Sequence, residues 1–338
     1  MAKIAQTILE IAGVIFPVFA VVGAGFILKK RSFLKDDYVP VLNKLTYNLG
    51  LSSLIFVEIS GSSFSDIFNV GTLKVIISAY FAYIFIIFIS IYFSRMDAKL
   101  KSAFIVSSYR NNMAFIGMSV LLYAFGSIAT AKAGIVLAAL TPIAIILTSV
   151  FLQSGNFKRG RSENTETGTG VPGQSENNGI RRKNMVFQII KASLLDPVII
   201  AAVAGLLVSY FSIKIPEPVS NIFEIFSDIA IPLALLAIGA SFKFSKMKSY
   251  IRPLAAISIL KLILLPFIGL MFCLYVFKVD PMDRNVICVL FSTPVAVATY
   301  IQSVKYETDH DFISSAIVIS TIVSALTMSA WLFILKII

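Results

Sequence analysis

The chain has 338 residues, 57% hydrophobic and 14% charged, with a mean hydropathy of +0.88. That balance leaves too little polar surface to wrap a soluble core, and several uncharged stretches reach the roughly 18 residues that mark membrane helices. The net charge of +11 does not point to nucleic acid, because the basic residues cluster in short segments between apolar runs. The sequence therefore reads as an all-α polytopic membrane protein whose standing partner is the lipid bilayer.

Ten spans are predicted, at about 6–28, 39–60, 72–94, 101–124, 132–152, 186–211, 219–240, 252–277, 285–303 and 312–335. The first, built on the apolar run Ile11 to Leu28, is too long for a signal-peptide core and reads as a retained helix. Ser52 and Ser53 fall near the middle of the second, as small packing residues or as part of a site. Glu58 closes that span.

The fourth span carries the least expected residues. Ser107-Ser108-Tyr109-Arg110-Asn111-Asn112 interrupts an otherwise apolar run from Ser102 to Tyr123. A helix would hold Arg110 about 12 Å below one surface. A guanidinium and two carboxamides at that depth are expensive in lipid, so they are expected to face protein or water and to be functional. Arg110 is a candidate cation for an anionic substrate, or else the partner of Asp228, Glu58 or Asp196. Asn111 and Asn112 either bind that substrate or bridge helices.

Gln153 to Asn184, rich in Gly, Ser, Asn and charge, is predicted to be a flexible solvated linker. It separates a first five-helix unit (1–152) from a second (185–338). In the sixth span Asp196 precedes Pro197, as a proton-accepting group or as a helix cap. The seventh holds Asp228. In the ninth, Thr293-Pro294 lies mid-span, where proline removes a donor and breaks the helix; freed backbone groups at that depth need protein or a watery cavity beside them. Cys273 and Cys288, both in apolar spans, are expected to be reduced. His310, the only histidine, is expected in a solvated turn. No metal-ligand spacing, phosphate loop or Ser–His pair appears, so neither a cofactor nor catalysis is expected.

Alternate loops carry 18 Lys and Arg, against 6 in the loops and ends of the opposite side. The positive-inside rule then places the linker in the cytoplasm and both termini outside, in the cell membrane. The two halves also echo each other at an offset of 180. Pro17-Val18 and Gly25 match Pro197-Val198 and Gly205, and Leu51-Ser52 matches Ile231-Pro232. Asn111-Asn112 falls near the same offset from Thr293-Pro294. A repeat of five spans must be inverted, which is a transporter plan with broken helices at the repeat interface.

Arg110-Asn111-Asn112-Met113-Ala114-Phe115-Ile116-Gly117 resembles the asparagine-then-Phe-Ile-Gly signature of the auxin efflux carrier family. So do Ile231-Pro232-Leu233-Ala234 through Gly239, and Thr293-Pro294 through Tyr306. The resemblance covers nearly the whole chain, although Ser119 and Ser52 stand where the family usually has proline. It implies two inverted five-helix repeats, broken helices 4 and 9 crossing at mid-membrane, and a scaffold that forms a homodimer. It also implies transport of a small organic anion. With the residues read above, the expectation is a carrier working by alternating access, with Arg110, Asn111, Asn112, Ser52, Thr293 and Pro294 at the substrate site and Asp196, Asp228 and Glu58 as coupling or support candidates. Proton or sodium coupling is left open. A sodium-coupled symporter of larger amphipathic anions and an anion channel are the alternatives.

Overall fold

The computed structural model describes residues 2–94, 96–166, 195–244 and 247–338. Among these the chain is helical, with no strand and one isolated antiparallel bridge, between Asn111 and Val295. The helices are α1 (Ala2–Lys30), α2 (Tyr38–Leu45), α3 (Ser52–Ser60), α4 (Phe64–Ile67), α5 (Val70–Phe93), α6 (Ala98–Tyr109) and α7 (Met118–Glu166). They continue with α8 (Pro197–Tyr210), α9 (Glu217–Ala240), α10 (Ile251–Ile259), α11 (Leu265–Met271), α12 (Pro281–Ser292), α13 (Ala298–Lys305) and α14 (His310–Ile337). Short polar side chains start several of them: Asn69 accepts from the Thr72 N–H at 3.0 Å, Asp97 from Lys99 and Leu100 at 3.1 Å, and Asp309 from Phe312 at 2.9 Å. Each cap satisfies amides that the helix itself leaves without acceptors.

Six helical stretches among the described residues are long and apolar enough to cross a membrane: Ile4–Lys30, Phe64–Tyr92, Met113–Gln153, Glu217–Ala240, Met247–Val276 and His310–Ile337. The other expected spans are short or interrupted. The second runs from α2 through a π-helical turn, Thr46–Leu51, into α3. The sixth is described only from Pro197, because 167–194 lies outside the described residues. The fourth and ninth stop and restart, as set out below. The linker expected from Gln153 starts inside helix, since α7 continues to Glu166; the rest of it is not described. The turn expected between the fourth and fifth spans falls at Gly126, where two helices within the α7 range join; its φ of 74° lies in the left-handed region that glycine enters freely.

Two groups of helices pack separately. α1, α2–α3, α8 and α9 form one, and α5, α6–α7, α10–α11, α12–α13 and α14 form the other. The two meet through α3 and α7 and through α1 and α14. In the first group α1 and α9 approach closely: a Cβ on Gly25 would strike the Leu236 carbonyl, and one on Gly239 would strike that of Val22. In the second, Lys132 departs from its expected place in a loop. It lies 5% exposed in α7 and pairs with the buried Asp283 of α12 at 2.5 Å. Burial is tolerated because each charge neutralises the other. Both cysteines are buried and free, as their apolar surroundings led one to expect.

Candidate functional site

The site forms where two interrupted helices meet in the second group. α6 ends at Tyr109, and the chain runs extended through Arg110 (φ −75°, ψ 100°) before a π-helical turn, Met113–Gly117, resumes the helix. α12 ends at Ser292, Thr293 is extended (φ −69°, ψ 152°), and helix returns at Ala298. The two extended pieces bind each other as a minimal antiparallel pair. The Asn112 N–H donates to the Pro294 carbonyl at 2.8 Å and the Ala296 N–H to the Arg110 carbonyl at 3.0 Å, while the Val295 N–H donates to Ser320 Oγ at 3.0 Å. Backbone groups that left their helices are thus satisfied across the crossing, as a low-dielectric interior demands.

The two asparagines have different surroundings. Asn111 is engaged on both sides: Nδ2 donates to the Leu290 carbonyl at 2.9 Å, and Oδ1 accepts from Lys261 Nζ. Asn112 is 3% exposed, and its Nδ2 has no partner. Nor has Arg110 Nε, and among the described residues no acid lies within ion-pairing distance of Arg110.

These groups line a cavity of about 550 Å³ between the two helix groups. Tyr83, Asn43 and Gln302 also line it, and each has a buried polar atom without a partner: Tyr83 OH, Asn43 Oδ1 and Gln302 Oε1. Five unsatisfied polar atoms around one hollow are far from the native norm, in which buried polar groups are paired. Apolar side chains such as Leu137 and Ile145 fill in the rest of the wall. At its edge Tyr47 OH donates to both oxygens of Asp196, at 3.2 and 3.0 Å, and Asp196 Oδ1 also accepts from the Val198 N–H at 2.9 Å, capping α8.

Of the residues singled out in sequence, Arg110, Asn111, Asn112 and Asp196 come together at this cavity. Thr293 and Pro294 are buried beside it and bind through backbone and a local hydroxyl: Thr293 Oγ1 donates to the Leu290 carbonyl at 2.7 Å. Ser52 donates to the Tyr47 carbonyl at 3.3 Å and does not line the cavity. Glu58, half-buried on α3, and Asp228, exposed on α9, lie away from it. Sequence reasoning passed over Lys261, Tyr47, Asn43, Tyr83 and Gln302. Lys261 was legible by the rule that picked out Arg110, a lone charge inside an apolar span. No group of His, Cys, Asp or Glu able to hold a metal occurs among the described residues.

Long apolar helices around a cavity with a few convergent polar groups define a multi-pass membrane protein. Residues 11–332 match the family described as "Membrane transport protein", and the chain belongs to that family, the auxin efflux carriers whose signature the fourth span resembles. It is 25% identical over 331 residues to an uncharacterized transporter of Methanocaldococcus jannaschii, covering 95% of this chain and 98% of the relative. It is 21% identical over 336 residues to a Rhizobium meliloti protein named "Putative malonate transporter", covering 97% and 96%. An uncharacterized transporter of Methanothermobacter thermautotrophicus is 22% identical over 329 residues, with 94% and 96% covered. The chain is a transporter rather than an enzyme.

Proposed function

We propose that the chain is a carrier that moves a small organic anion across the cell membrane by alternating access, binding it at the crossing of two broken helices. The observation that carries this reading is the pair of unpartnered donors, Arg110 Nε and Asn112 Nδ2, beside a hollow of about 550 Å³, with no ion pair to the guanidinium among the described residues. The helices that restart at Met113 and Ala298 also begin at the crossing, and helix N-termini favour a negative charge. A carboxylate would satisfy these donors together. The printed name of the Rhizobium meliloti relative supports a carboxylate as the cargo.

Ten spans in two inverted five-helix repeats account for the packing. Gly25 meets the backbone of Leu236, and Gly205, at the offset of 180, meets the Phe56 carbonyl, the residue at the same offset from Leu236. The size and apolar wall of the cavity favour a second reading, in which the anion is larger and amphipathic. A thermal-shift screen of the purified protein against malonate, succinate and longer amphipathic carboxylates, each in sodium and in choline, separates the two. A ligand at 100 times its dissociation constant should stabilise by about 2.7 kcal/mol. Absence of a shift with every acid would overturn the reading.

The orientation follows from charge. Moving Lys132 out of the loop count strengthens the bias toward the linker side. On that topology the cavity, which shares Pro40, Asn43, Val297 and Ile301 with a hollow beside Asp36 and Lys243, opens to the cytoplasm. Cysteines placed in Gln153–Asn184 should be protected from an impermeant thiol reagent in intact cells, and one in 212–219 should react. Labelling of the linker from outside would reverse the topology.

A further inference from the structure

Lys261 is 0% exposed, and among the described residues no acid lies within ion-pairing distance of it. The charge acting on it from nearby is Arg110, of the same sign. A buried ammonium in such surroundings is costly unless other groups stabilise it. It sits in a π-helical turn, Leu260–Leu264, and such turns recur at functional sites. A second contact reaches that turn: Trp331 Nε1 of α14 donates to the Leu262 carbonyl at 2.8 Å.

The stabilising groups are the ends of two helices. α6 and α12 both finish at the crossing, and a helix C-terminus carries about half a negative charge in its unpaired carbonyls. Lys261 reaches the end of α12 through one side chain. Its Nζ donates to Asn111 Oδ1, and Asn111 Nδ2 donates to the Leu290 carbonyl. This relay fixes which way the Asn111 carboxamide faces. It also spends that carboxamide on the protein, leaving Arg110 and Asn112, with the Tyr83 hydroxyl, as donors free for the cavity.

We propose that Lys261 is a tethered cation that takes the place of a free coupling ion at the crossing: through Asn111 it neutralises the helix C-termini and positions the loop that carries Arg110 and Asn112. Lys261 acts through Asn111 and does not line the cavity, so it is a positioning residue. The proposal rests on the crossing being the anion site only in its last step.

The test begins without any anion. Wild-type protein should melt at the same temperature in sodium chloride and in choline chloride. Lys261→Ala should melt lower by about 5 °C or more, and methylammonium or sodium should restore it where choline does not, because the vacated hole admits a small cation. Lys261→Met, neutral and filling the hole, should also melt lower and show no rescue. If Lys261→Ala does not fold, Lys261→Met carries the test by its own melting temperature. Wild-type melting by Lys261→Met, cations that all act alike on Lys261→Ala, or stabilisation of the wild type by sodium over choline would each overturn the proposal. In a second arm, malonate should shift the wild type equally in sodium and choline and shift Lys261→Met at least tenfold more weakly. Rescue without any malonate shift would leave the tethered cation standing and count against malonate as cargo. A malonate shift without rescue would do the reverse.

Discussion

Replacing Asp283 with alanine is expected to destabilise the fold by about 3–5 kcal/mol, the usual cost of leaving one member of a buried ion pair alone. The pair is well enclosed: the Lys132 side chain is 7% exposed and that of Asp283 2%, with Nζ and Oδ1 2.5 Å apart. Asp283 lies in the first turn of α12, where the helix dipole also favours a negative charge. Gly71 lies against its other oxygen, so Gly71→Ala should act in the same direction by pushing the carboxylate off Lys132. Lys132→Met should cost a similar amount to Asp283→Ala. The double variant Lys132→Met/Asp283→Ala should lose much less than the sum of the two single losses, because neither charge then remains unpaired. Unfolding in detergent with the four proteins of this cycle measures the coupling. Single variants as stable as the wild type would mean that water reaches the pair.

What the sequence reveals of the fold depends on contrast. Arg110, Asn111 and Asn112 stand out because they interrupt an apolar run, and Pro294 because it removes a backbone donor in mid-span; the crossing lies where both point. The division of labour between the asparagines is another matter. It depends on Lys261 and Leu290, which are 150 and 179 residues from Asn111 and reach it only through packing. Lys132 misled for the opposite reason. It stands at the first residue of a predicted span, and a charge at such an end counts as loop unless its partner, 151 residues later, is known. The join at Gly126 falls in the connection read between the fourth and fifth spans, 125–131. Asp196 before Pro197 is legible as a cap from the two residues alone, but its contact with Tyr47 is not.

The same division of labour makes Asn112→Ala and Asn111→Ala behave differently. Asn112 Nδ2 has no partner in the protein, so Asn112→Ala should leave the melting temperature of the unliganded protein near the wild-type value. It should weaken binding of a carboxylate ligand from the proposed screen about ten- to a hundredfold, since a hydrogen bond to a charged group contributes about 1.5–3 kcal/mol. Asn111→Ala should lower the unliganded melting temperature, because it strands the Lys261 ammonium and leaves the Leu290 carbonyl with the Thr293 hydroxyl alone. Arg110→Ala removes the guanidinium at the cavity and should abolish the ligand shift at concentrations that saturate the wild type. Arg110→Lys keeps the charge but loses the planar fork that suits a carboxylate, so it should weaken binding with little change in stability. Melting curves with and without the ligand for all four variants test the assignment. If Arg110→Ala and Asn112→Ala both retain the wild-type shift, the anion binds elsewhere, and the crossing of α6 and α12 serves only to hold these two broken helices of the second group together.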